Sequence, residues 1–464
     1  MSYAFDLAII GGGPGGYVAA IYAAQSGKKV VLVEKDQLGG VCLNWGCIPS
    51  KHYIQQAENI VSAKSLSSVG ISTDYSKFDL GLVQQSSRKV VKTLTGGIAG
   101  LLKKNKVTVI NAFASFSGPN QLSLSNGETL QAENIIVATG SSPLKVKGFE
   151  PDGVSVLDST DILSLCELPA SLVILGGGAI GCEFAYVMNS FGVDVTIIEA
   201  QSHLLPSEDQ QLTSHLRAHF EGLGIKVMTD TRAHSIGRDG ALATVNIDNA
   251  ARGSESLTAE KILVVFGRSP NTTGIGLDKV GITPDQRGFI ETDAFGVAGK
   301  GIYAIGDVTR SPLLAHVASR EGELAVQHMF GMLPEHHEGI DESLIPSAIY
   351  CDPQIAGFGL REQDIDNYQG DVAMSVFNLS GAGKSIAIGK PEGMVKILAD
   401  AKTHEILGAH ILGHNATELI HEILLAKSSE LLVDDIAHMM HAHPTLSEAV
   451  LEAAKGVFGK PIHA

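Results

Sequence analysis

Two cysteines, Cys42 and Cys47, lie five positions apart in the segment GGVCLNWGCIPSK, residues 39–51. In an ideal helix this spacing gives about 7.5 Å of axial rise, which is longer than a relaxed disulfide normally spans. A disulfide between them therefore requires a distorted turn, and beside a helix start it is expected to be reducible. The positive helix end also lowers the pKa of a released thiolate. The pattern predicts a catalytic redox pair; the alternative is two buried free thiols.

A second candidate group lies near the C-terminus, in the segment HAHPTLSE. His443 precedes a proline, so an extended backbone is expected to project its ring from the start of a helix over about 446–457, with Thr445 as the N-cap. Glu448 can turn back to one ring nitrogen and leave the other free as a base. Taken alone, His443 is more typical of a capping or surface histidine than of a base, and His441 has the same ambiguity.

The remaining cysteines, Cys166, Cys182 and Cys351, are isolated in the sequence and are interpreted as packing residues. No histidine and cysteine group has zinc or iron–sulfur spacing, since the thiol pair at 42 and 47 has no second pair and His336 and His337 stand without thiols. The sequence predicts no metal site.

Residues 4–34, directly before the cysteine segment, contain the glycine pattern of a nucleotide-binding unit. Gly11 permits a tight turn, Gly13 lets backbone N–H groups reach a pyrophosphate, and Gly16 allows close helix packing. Glu34 can accept hydrogen bonds from a ribose. The elements expected around them are a strand over 4–10, a helix over 17–26 and a strand over 29–33.

The same pattern recurs at residues 172–199. Gly176, Gly178 and Gly181 repeat the glycine spacing, and Glu199 follows the first glycine by 23 positions, as in the first copy. One glycine motif is weak evidence, but two complete copies with equal spacing predict two dinucleotide sites. An acidic residue at position 199 favours NAD over NADP because it repels a 2′-phosphate. The alternative interpretation is that Glu199 is only a solvated strand end.

The composition sets the class of protein. The chain has 464 residues, 44% of them hydrophobic, 52 glycines and a formal net charge of -16. This length predicts two to four domains, and the charge argues against partners such as nucleic acid or anionic membrane. No apolar stretch is long enough to span a bilayer, and the start lacks the features of a signal peptide, so we expect a cytoplasmic or mature matrix-type protein.

The segment GGVCLNWGCIPSK closely resembles the active-site disulfide segment of pyridine nucleotide disulfide oxidoreductases, particularly dihydrolipoyl dehydrogenases. Further matches along nearly the whole chain are Ala138-Thr139-Gly140, GRSPNT at 267–272, YAIGD at 303–307 and residues 441–448. The resemblance implies an α/β fold with two Rossmann-like dinucleotide-binding domains plus a C-terminal α+β dimerisation domain. The implied domains are 1–146 for FAD, 147–272 for NAD, 273–343 completing the FAD site, and 344–464 for dimerisation.

The resemblance also implies roles for individual residues. Asp307 would bond the ribitol or phosphate region of the flavin, Ala114 would approach FAD by its backbone, and Lys51 would lie near the flavin and pair with Glu183. The FAD residues implied are Gly11, Gly13, Gly16, Glu34, Lys51, Ala114, Thr139, Gly140, Asp307, Leu313, Leu314, Ala315 and His316. The NAD residues implied are Gly176, Gly178, Gly181, Glu199 and Gly267.

The mechanism implied by the resemblance is a relay in a homodimer. His443 of the partner subunit, oriented by Glu448, would deprotonate a dihydrolipoyl thiol that attacks Cys42, and Cys47 would be released as the thiolate facing the flavin. Electrons would pass through FAD to NAD+. The implied partners are lipoylated carrier domains of 2-oxoacid dehydrogenase or glycine cleavage complexes.

Other classes fit less well. Glutathione-type reductases need basic residues for NADPH, and mercuric-type reductases carry a C-terminal cysteine pair, whereas no cysteine follows Cys351. A non-enzymatic FAD-binding scaffold needs neither the thiol pair nor the histidine and glutamate. The chain departs from the common family pattern at Trp45, His52, Tyr53 and Cys351.

Overall fold

The fold is described by a computed structural model of residues 3–240, 242–249 and 251–463. Its α-helices are α1 (Pro14–Gln25), α2 (Gly40–Trp45), α3 (Cys47–Ser65), α4 (Leu80–Lys104), α5 (Ala179–Ser190), α6 (Gln210–Gly222), α7 (Ala315–Met329), α8 (Gly383–Ala387), α9 (Ala416–Ser428), α10 (Val433–His438) and α11 (Glu448–Val457). Its strands are β1 (Phe5–Ile10), β2 (Val30–Glu34), β3 (Thr108–Asn111), β4 (Ala114–Gly118), β5 (Gln121–Leu124), β6 (Thr129–Val137), β7 (Ser141–Pro143), β8 (Val156–Leu157), β9 (Ser171–Leu175), β10 (Asp194–Ile198), β11 (Lys226–Met228), β12 (Thr231–Asp239), β13 (Leu242–Asn249), β14 (Gly253–Ala259), β15 (Lys261–Val264), β16 (Arg268–Pro270), β17 (Val297–Gly299), β18 (Ile302–Ala304), β19 (Ser347–Ile349), β20 (Gln354–Gly359), β21 (Val372–Asn378), β22 (Gly393–Asp400) and β23 (Ile406–Gly413).

The first sheet has the order β17-β18-β6-β1-β2-β3, and the β4–β5 hairpin joins it through β6. Strands β1, β2, β3, β6 and β18 are parallel, and the apolar residues at 7–10 of β1 and 30–33 of β2 are buried because helices cover the sheet. Ile302 pairs with Ile135, so the chain returns to this sheet long after it has left it.

The second sheet repeats the arrangement in the order β11-β10-β9-β15-β8. Strand β9 continues into α5 and then into the parallel strand β10, as β1 continues into α1 and β2. The antiparallel sheet β12-β13-β14 is inserted along the chain between β11 and β15 of this sheet. Strands β7 and β16 pair antiparallel, so the segments that enter and leave this unit run side by side.

The C-terminal sheet is antiparallel with the order β19-β20-β23-β22-β21, and α9, α10 and α11 pack against it around one apolar core. The predicted fold class, α/β with two Rossmann-like units plus a C-terminal α+β domain, is therefore confirmed. Within the described ranges, no helix is both long and apolar enough to cross a membrane. The boundaries at 146, 272 and 343 stay predictions, and residues 1, 2 and 464 of the outer domains lie outside the described residues.

Three predicted boundaries were wrong in detail. Helix α1 begins at Pro14 instead of at 17, because proline needs no hydrogen bond in the first turn of a helix. Strand β2 covers Val30–Glu34 instead of 29–33. Helix α11 begins at Glu448, and Thr445 is not its N-cap, since the Thr445 hydroxyl donates to the carbonyl of Ala442 instead.

A buried ion pair joins the second unit to the C-terminal sheet. Lys396 on β22 is fully buried, and its ammonium donates to Asp209 at 2.7 Å and also to Glu362. Asp209 precedes α6 and accepts the N–H groups of Gln211 and Leu212. Although burial opposes it, the Lys396 ammonium helps to hold the pKa of Asp209 below its ordinary value. The junction therefore depends on one fully enclosed cation.

We expect Lys396→Met to lower the free energy of unfolding by about 3–5 kcal/mol, because it leaves the Asp209 carboxylate buried without its partner. Urea unfolding monitored by circular dichroism measures this loss. The matched control is Lys226→Met, which breaks the exposed Lys226–Asp194 pair and should cost no more than about 1 kcal/mol. If both variants lose the same small free energy of unfolding, the Lys396–Asp209 pair does not hold the units together.

Candidate active site

The two glycine loops have the same close contacts. A Cβ added to Gly16 would lie 1.9 Å from the carbonyl oxygen of Gly11, and one added to Gly181 would lie 2.0 Å from that of Gly176. Gly11 and Gly176 have φ values of +107° and +117°, which side chains rarely adopt. These four glycines are therefore required by the packing of each loop against its own helix.

Gly13 and Gly178 have a different reason to be glycine. The nearest atom to a Cβ at Gly13 would be 4.0 Å away, and no described atom lies within 4 Å of one at Gly178. Both residues directly precede a helix, at its positive end with unpaired N–H groups. Backbone open to solvent at a helix start fits a pyrophosphate. Both loops therefore fit the dinucleotides predicted for them.

The acidic residue that ends each second strand is tied to its own loop. Glu34 accepts the N–H of Gly12 at 2.6 Å, and Glu199 accepts the N–H of Gly177 at 2.7 Å. The second oxygen of Glu199 accepts the N–H of Gln201. Glu199 is only 8% exposed, so it is not a solvated strand end. Each carboxylate is fixed beside the loop with oxygen lone pairs left for a ribose.

The turn between the two cysteines is distorted, as the spacing requires. Helix α2 stops at Trp45, Gly46 leaves the helical region with φ −144° and ψ −113°, and α3 starts anew at Cys47. Both cysteines are free thiols in this structure. The interruption of the helix at Gly46 therefore lies between two cysteines whose thiols are in hydrogen-bonding contact.

The two thiols interact with each other. A hydrogen bond from the Cys42 thiol lowers the pKa of Cys47 to about 7; burial opposes this effect and the Lys51 ammonium adds to it. The same hydrogen bond, together with burial, raises the pKa of Cys42 well above its ordinary range. The two shifts have opposite directions, so the thiolate form is favoured at Cys47 over Cys42.

Lys51 and Glu183 form an ion pair beside the thiols. Lys51 Nζ lies 2.8 and 3.0 Å from the two Glu183 oxygens, and the Tyr350 N–H donates to Glu183 at 3.1 Å. The Lys51 ammonium also lies 4.2 Å from the centre of the Tyr350 ring. Glu183 is 6% exposed, so its charge is buried but fully paired. Helices α3 and α5 and the C-terminal domain meet at this pair.

His443 and Glu448 are also in contact. His443 Nδ1 lies 2.9 Å from Glu448 Oε1, while Oε2 accepts the N–H of Thr445 at 2.8 Å. That backbone bond and the His443 ring lower the pKa of Glu448. The His443 side chain is 77% exposed, and no hydrogen bond of the described residues joins it to either thiol of its own chain. The second ring nitrogen is free to act outside the chain that carries it.

The burial of His441 distinguishes its role from that of His443. Its Nε2 lies 2.7 Å from Glu422 Oε1, and its side chain is only 2% exposed. This contact holds the loop that carries His443 against α9. His441 is therefore a structural residue of that loop, whereas His443 presents its ring to the outside.

Several predicted flavin residues lie where the chain crosses between units. Asp307 accepts the Ser141 hydroxyl at 2.5 Å and lies 3.6 Å from Arg268 Nε. Thr139 exchanges two hydrogen bonds with Asn271, at 2.8 and 2.9 Å. Ser141, Arg268 and Asn271 were not predicted as site residues, because only the pairing of β7 with β16 brings them there.

The other predicted cofactor residues are placed as follows. Ala114 is buried at the start of β4, Leu314 and Ala315 stand at the start of α7, Leu313 is exposed, and the His316 ring contacts the Pro346 carbonyl at 3.0 Å. Gly140 and Gly267 both have positive φ with no described atom near a Cβ, and they follow β6 and β15 at equivalent points of the two sheets.

The remaining cysteines only partly match their interpretation. Cys182 and Cys351 are buried, as expected for packing residues, but Cys166 is exposed and that interpretation was wrong. Its hydrophobic neighbours in sequence face the core while Cys166 itself lies in a loop. Across the described residues, no cluster of three side chains could bind a metal ion.

Comparison with known proteins covers the whole chain. The family model described as "Pyridine nucleotide-disulphide oxidoreductase" matches residues 5–322, and the model for its dimerisation domain matches residues 345–454. The chain is 41% identical to dihydrolipoyl dehydrogenase of Thermus scotoductus, over 99% of this chain and 98% of the relative, and 40% identical to that of Mycobacterium tuberculosis, over 99% of both.

Solved structures agree with these matches. The structure superposes with a TM-score of 0.90 on LpdA from Mycobacterium tuberculosis, with 28% identity and coverage of 97% of this chain and 99% of that one. The HOCl-induced flavoprotein disulfide reductase RclA from Escherichia coli gives a TM-score of 0.85, 25% identity and coverage of 97% and 99%. The chain therefore belongs to the pyridine nucleotide-disulphide oxidoreductase family.

Proposed function

We propose that this chain is a dihydrolipoyl dehydrogenase, which oxidises protein-bound dihydrolipoamide and reduces NAD+ to NADH. The observation that supports this most is the thiol pair in the broken turn, where the hydrogen bond from the Cys42 thiol lowers the pKa of Cys47 to about 7. A dithiol with one stabilised thiolate suits exchange with another dithiol, because the low-pKa sulfur is the better leaving group. The full-length relatives at about 40% identity carry this name.

The residues present fit FAD and NAD. We assign FAD to the first loop with Glu34, Thr139, Gly140, Asp307, Ala114 and residues 313–316, and NAD to the second loop with Glu199 and Gly267. Lys51 and Glu183 would flank the flavin on the side of the thiols. When bound, FAD accepts the electron pair of the dithiol and NAD+ receives it as hydride. Domain boundaries at 146, 272 and 343 follow from this assignment.

The chain's own groups would carry the thiol chemistry. His443 of the partner subunit, held by the carboxylate contact that Glu448 provides within each chain, takes the proton of one substrate thiol. The substrate thiolate attacks Cys42 of the oxidised pair, and the bond to Cys47 breaks, which leaves Cys47 as a thiolate. The second substrate thiol then attacks the sulfur of the mixed disulfide that came from the first, which closes the lipoamide ring and releases Cys42, and its proton passes to the Cys42 sulfur. Lys51 stabilises the negative charge on Cys47.

The chain forms a homodimer through its matched dimerisation domain. The partners proposed for it are lipoylated carrier domains of 2-oxoacid dehydrogenase or glycine cleavage complexes, because their lipoyl group, when reduced, is the dithiol that this chemistry consumes. Its proposed location is the cytoplasm.

The direct test is turnover with dihydrolipoamide and either NAD+ or NADP+. We expect NADH formation, with kcat/KM for NADP+ lower by at least about 100-fold, because the buried Glu199 carboxylate repels a 2′-phosphate. Glu199→Gln keeps the size of the side chain but removes its charge. This variant should reduce the difference in kcat/KM between NAD+ and NADP+. A yellow protein without turnover would support the scaffold alternative, and turnover of another disulfide alone would support a reductase like RclA.

A further inference from the structure

Arg88 makes an unusual contact with the cysteine turn. It lies on α4, and its Nη1 donates to the carbonyl oxygen of Asn44 at 2.7 Å. Asn44 lies between the two cysteines, in the last turn of α2. The guanidinium carbon of Arg88 lies 4.9 Å from the centre of the Trp45 ring, so the cation stacks on the neighbouring residue as well. One side chain thus holds two consecutive residues of the turn.

The turn needs support from outside because α2 is short. A helix of six residues does not maintain itself, and its last carbonyl groups have no partner within the helix. Gly46 then breaks the chain direction just before Cys47. The hydrogen bond from Arg88 satisfies one of these carbonyls at the point where the backbone must keep both sulfurs in reach of each other.

Burying the Arg88 side chain disfavours folding, which argues that its contact with the turn has a function. Arg88 is half-buried, and its Nε and Nη2 are buried without a hydrogen-bond partner. In the part of the chain that the structure describes, no carboxylate pairs with it, and burial lowers its pKa. Burying a guanidinium without an anion disfavours folding. The Asn44 carbonyl and the face of Trp45 are the groups that compensate it.

We propose that Arg88 and Trp45 are positioning residues that clamp the turn between Cys42 and Cys47 and thereby keep the two thiols in contact with each other. The clamp fixes the end of α2, the fixed end sets the distance from the Cys42 thiol to Cys47, and that hydrogen bond lowers the pKa of Cys47. The inference deepens the proposed function, on which it rests for its catalytic meaning. It also gives a role to Trp45, at a position where the family commonly has a smaller apolar residue.

The test is the pH dependence of iodoacetamide alkylation of the reduced holoenzyme, in a Cys166→Ser background that removes the exposed thiol. The wild-type midpoint should lie near pH 7, with alkylation increasing as the pH rises. For Arg88→Met we expect the midpoint to rise by about one unit, which lowers the thiolate fraction at pH 7 from about one half to about one tenth. Alkylation at pH 7 should therefore slow about fivefold.

Two further readouts separate this role from a general loss of structure. Trp45 is the single tryptophan of the chain, so its emission reports on the clamp alone and should shift to the red in Arg88→Met. Lys89→Met, at the exposed neighbouring position on α4, removes a similar charge and should leave midpoint and emission unchanged. Arg88→Lys keeps a donor for Asn44 and should recover part of the shift.

An unchanged midpoint in folded Arg88→Met would overturn the inference. Should that variant not fold, Trp45→Leu removes the other half of the stack and carries the same expectation. Failure of the proposed function would look different, since the wild-type protein would then form no NADH from dihydrolipoamide, whatever the alkylation midpoint.

Discussion

Replacing Cys42 by serine should abolish turnover of dihydrolipoamide while the protein keeps its flavin. Without the Cys42 sulfur no mixed disulfide with the substrate can form, so we expect kcat to fall at least about 10³-fold. The serine hydroxyl can still donate to Cys47, and the glycine loop, Glu34 and Asp307 are untouched, so FAD should remain bound. NADH absorbance measures turnover, and the visible flavin spectrum measures occupancy.

The matched control is Cys166→Ser, which removes an exposed thiol far from this chemistry in sequence and should retain full activity. Turnover that survives in Cys42→Ser would exclude the disulfide relay. Loss of the yellow colour in that variant would instead show that Cys42 helps to hold FAD. We do not expect this result, because the contacts of the first loop do not involve Cys42.

Mixing two inactive variants should restore activity. His443→Gln loses the proposed base, and Cys42→Ser loses the sulfur, so each homodimer should be inactive. If His443 acts on the thiols of the other chain, a mixed dimer contains one site with both an intact Cys42 and an intact histidine. Random reassembly gives half mixed dimers with half of their sites intact, so about a quarter of the wild-type activity should return.

The experiment is performed by denaturing and refolding the two variants together, or by coexpression with two tags and purification of the mixed dimer. Each variant treated alone serves as the control for refolding. If His443 instead serves its own chain, the mixed dimer has no complete site and remains inactive. The high exposure of His443 favours recovery, as does the lack of a hydrogen bond, among the described residues, from its ring to a thiol of its own chain.

The parts of the fold that repeat were predictable from the sequence. Both glycine loops, the strands beside them and the acidic residues at positions 34 and 199 follow from spacing, because the packing of Gly16 on Gly11 and of Gly181 on Gly176 allows no other residue. The distortion between Cys42 and Cys47 was likewise predictable, since the geometry of a helix excludes a direct pairing.

What the sequence did not show are contacts between distant segments. Three pairs of this kind are Arg88 with Trp45, Lys396 with Asp209, and His441 with Glu422. Each pair meets only in the tertiary structure, and none has a local sequence pattern. The exposure of Cys166 and the late start of α11 depend on the same tertiary context. His443 and Glu448 were paired correctly from sequence because they are close neighbours along the chain.

The late return of the chain to its first sheet has a consequence for biosynthesis. Strand β18 pairs with β6 through Ile302 and Ile135, and the whole second sheet is encoded between them. On the ribosome, the N-terminal half-sheet must therefore wait with one edge unpaired while the intervening unit emerges and folds. A nascent chain that stops before Ile302 leaves that edge open to association with other chains.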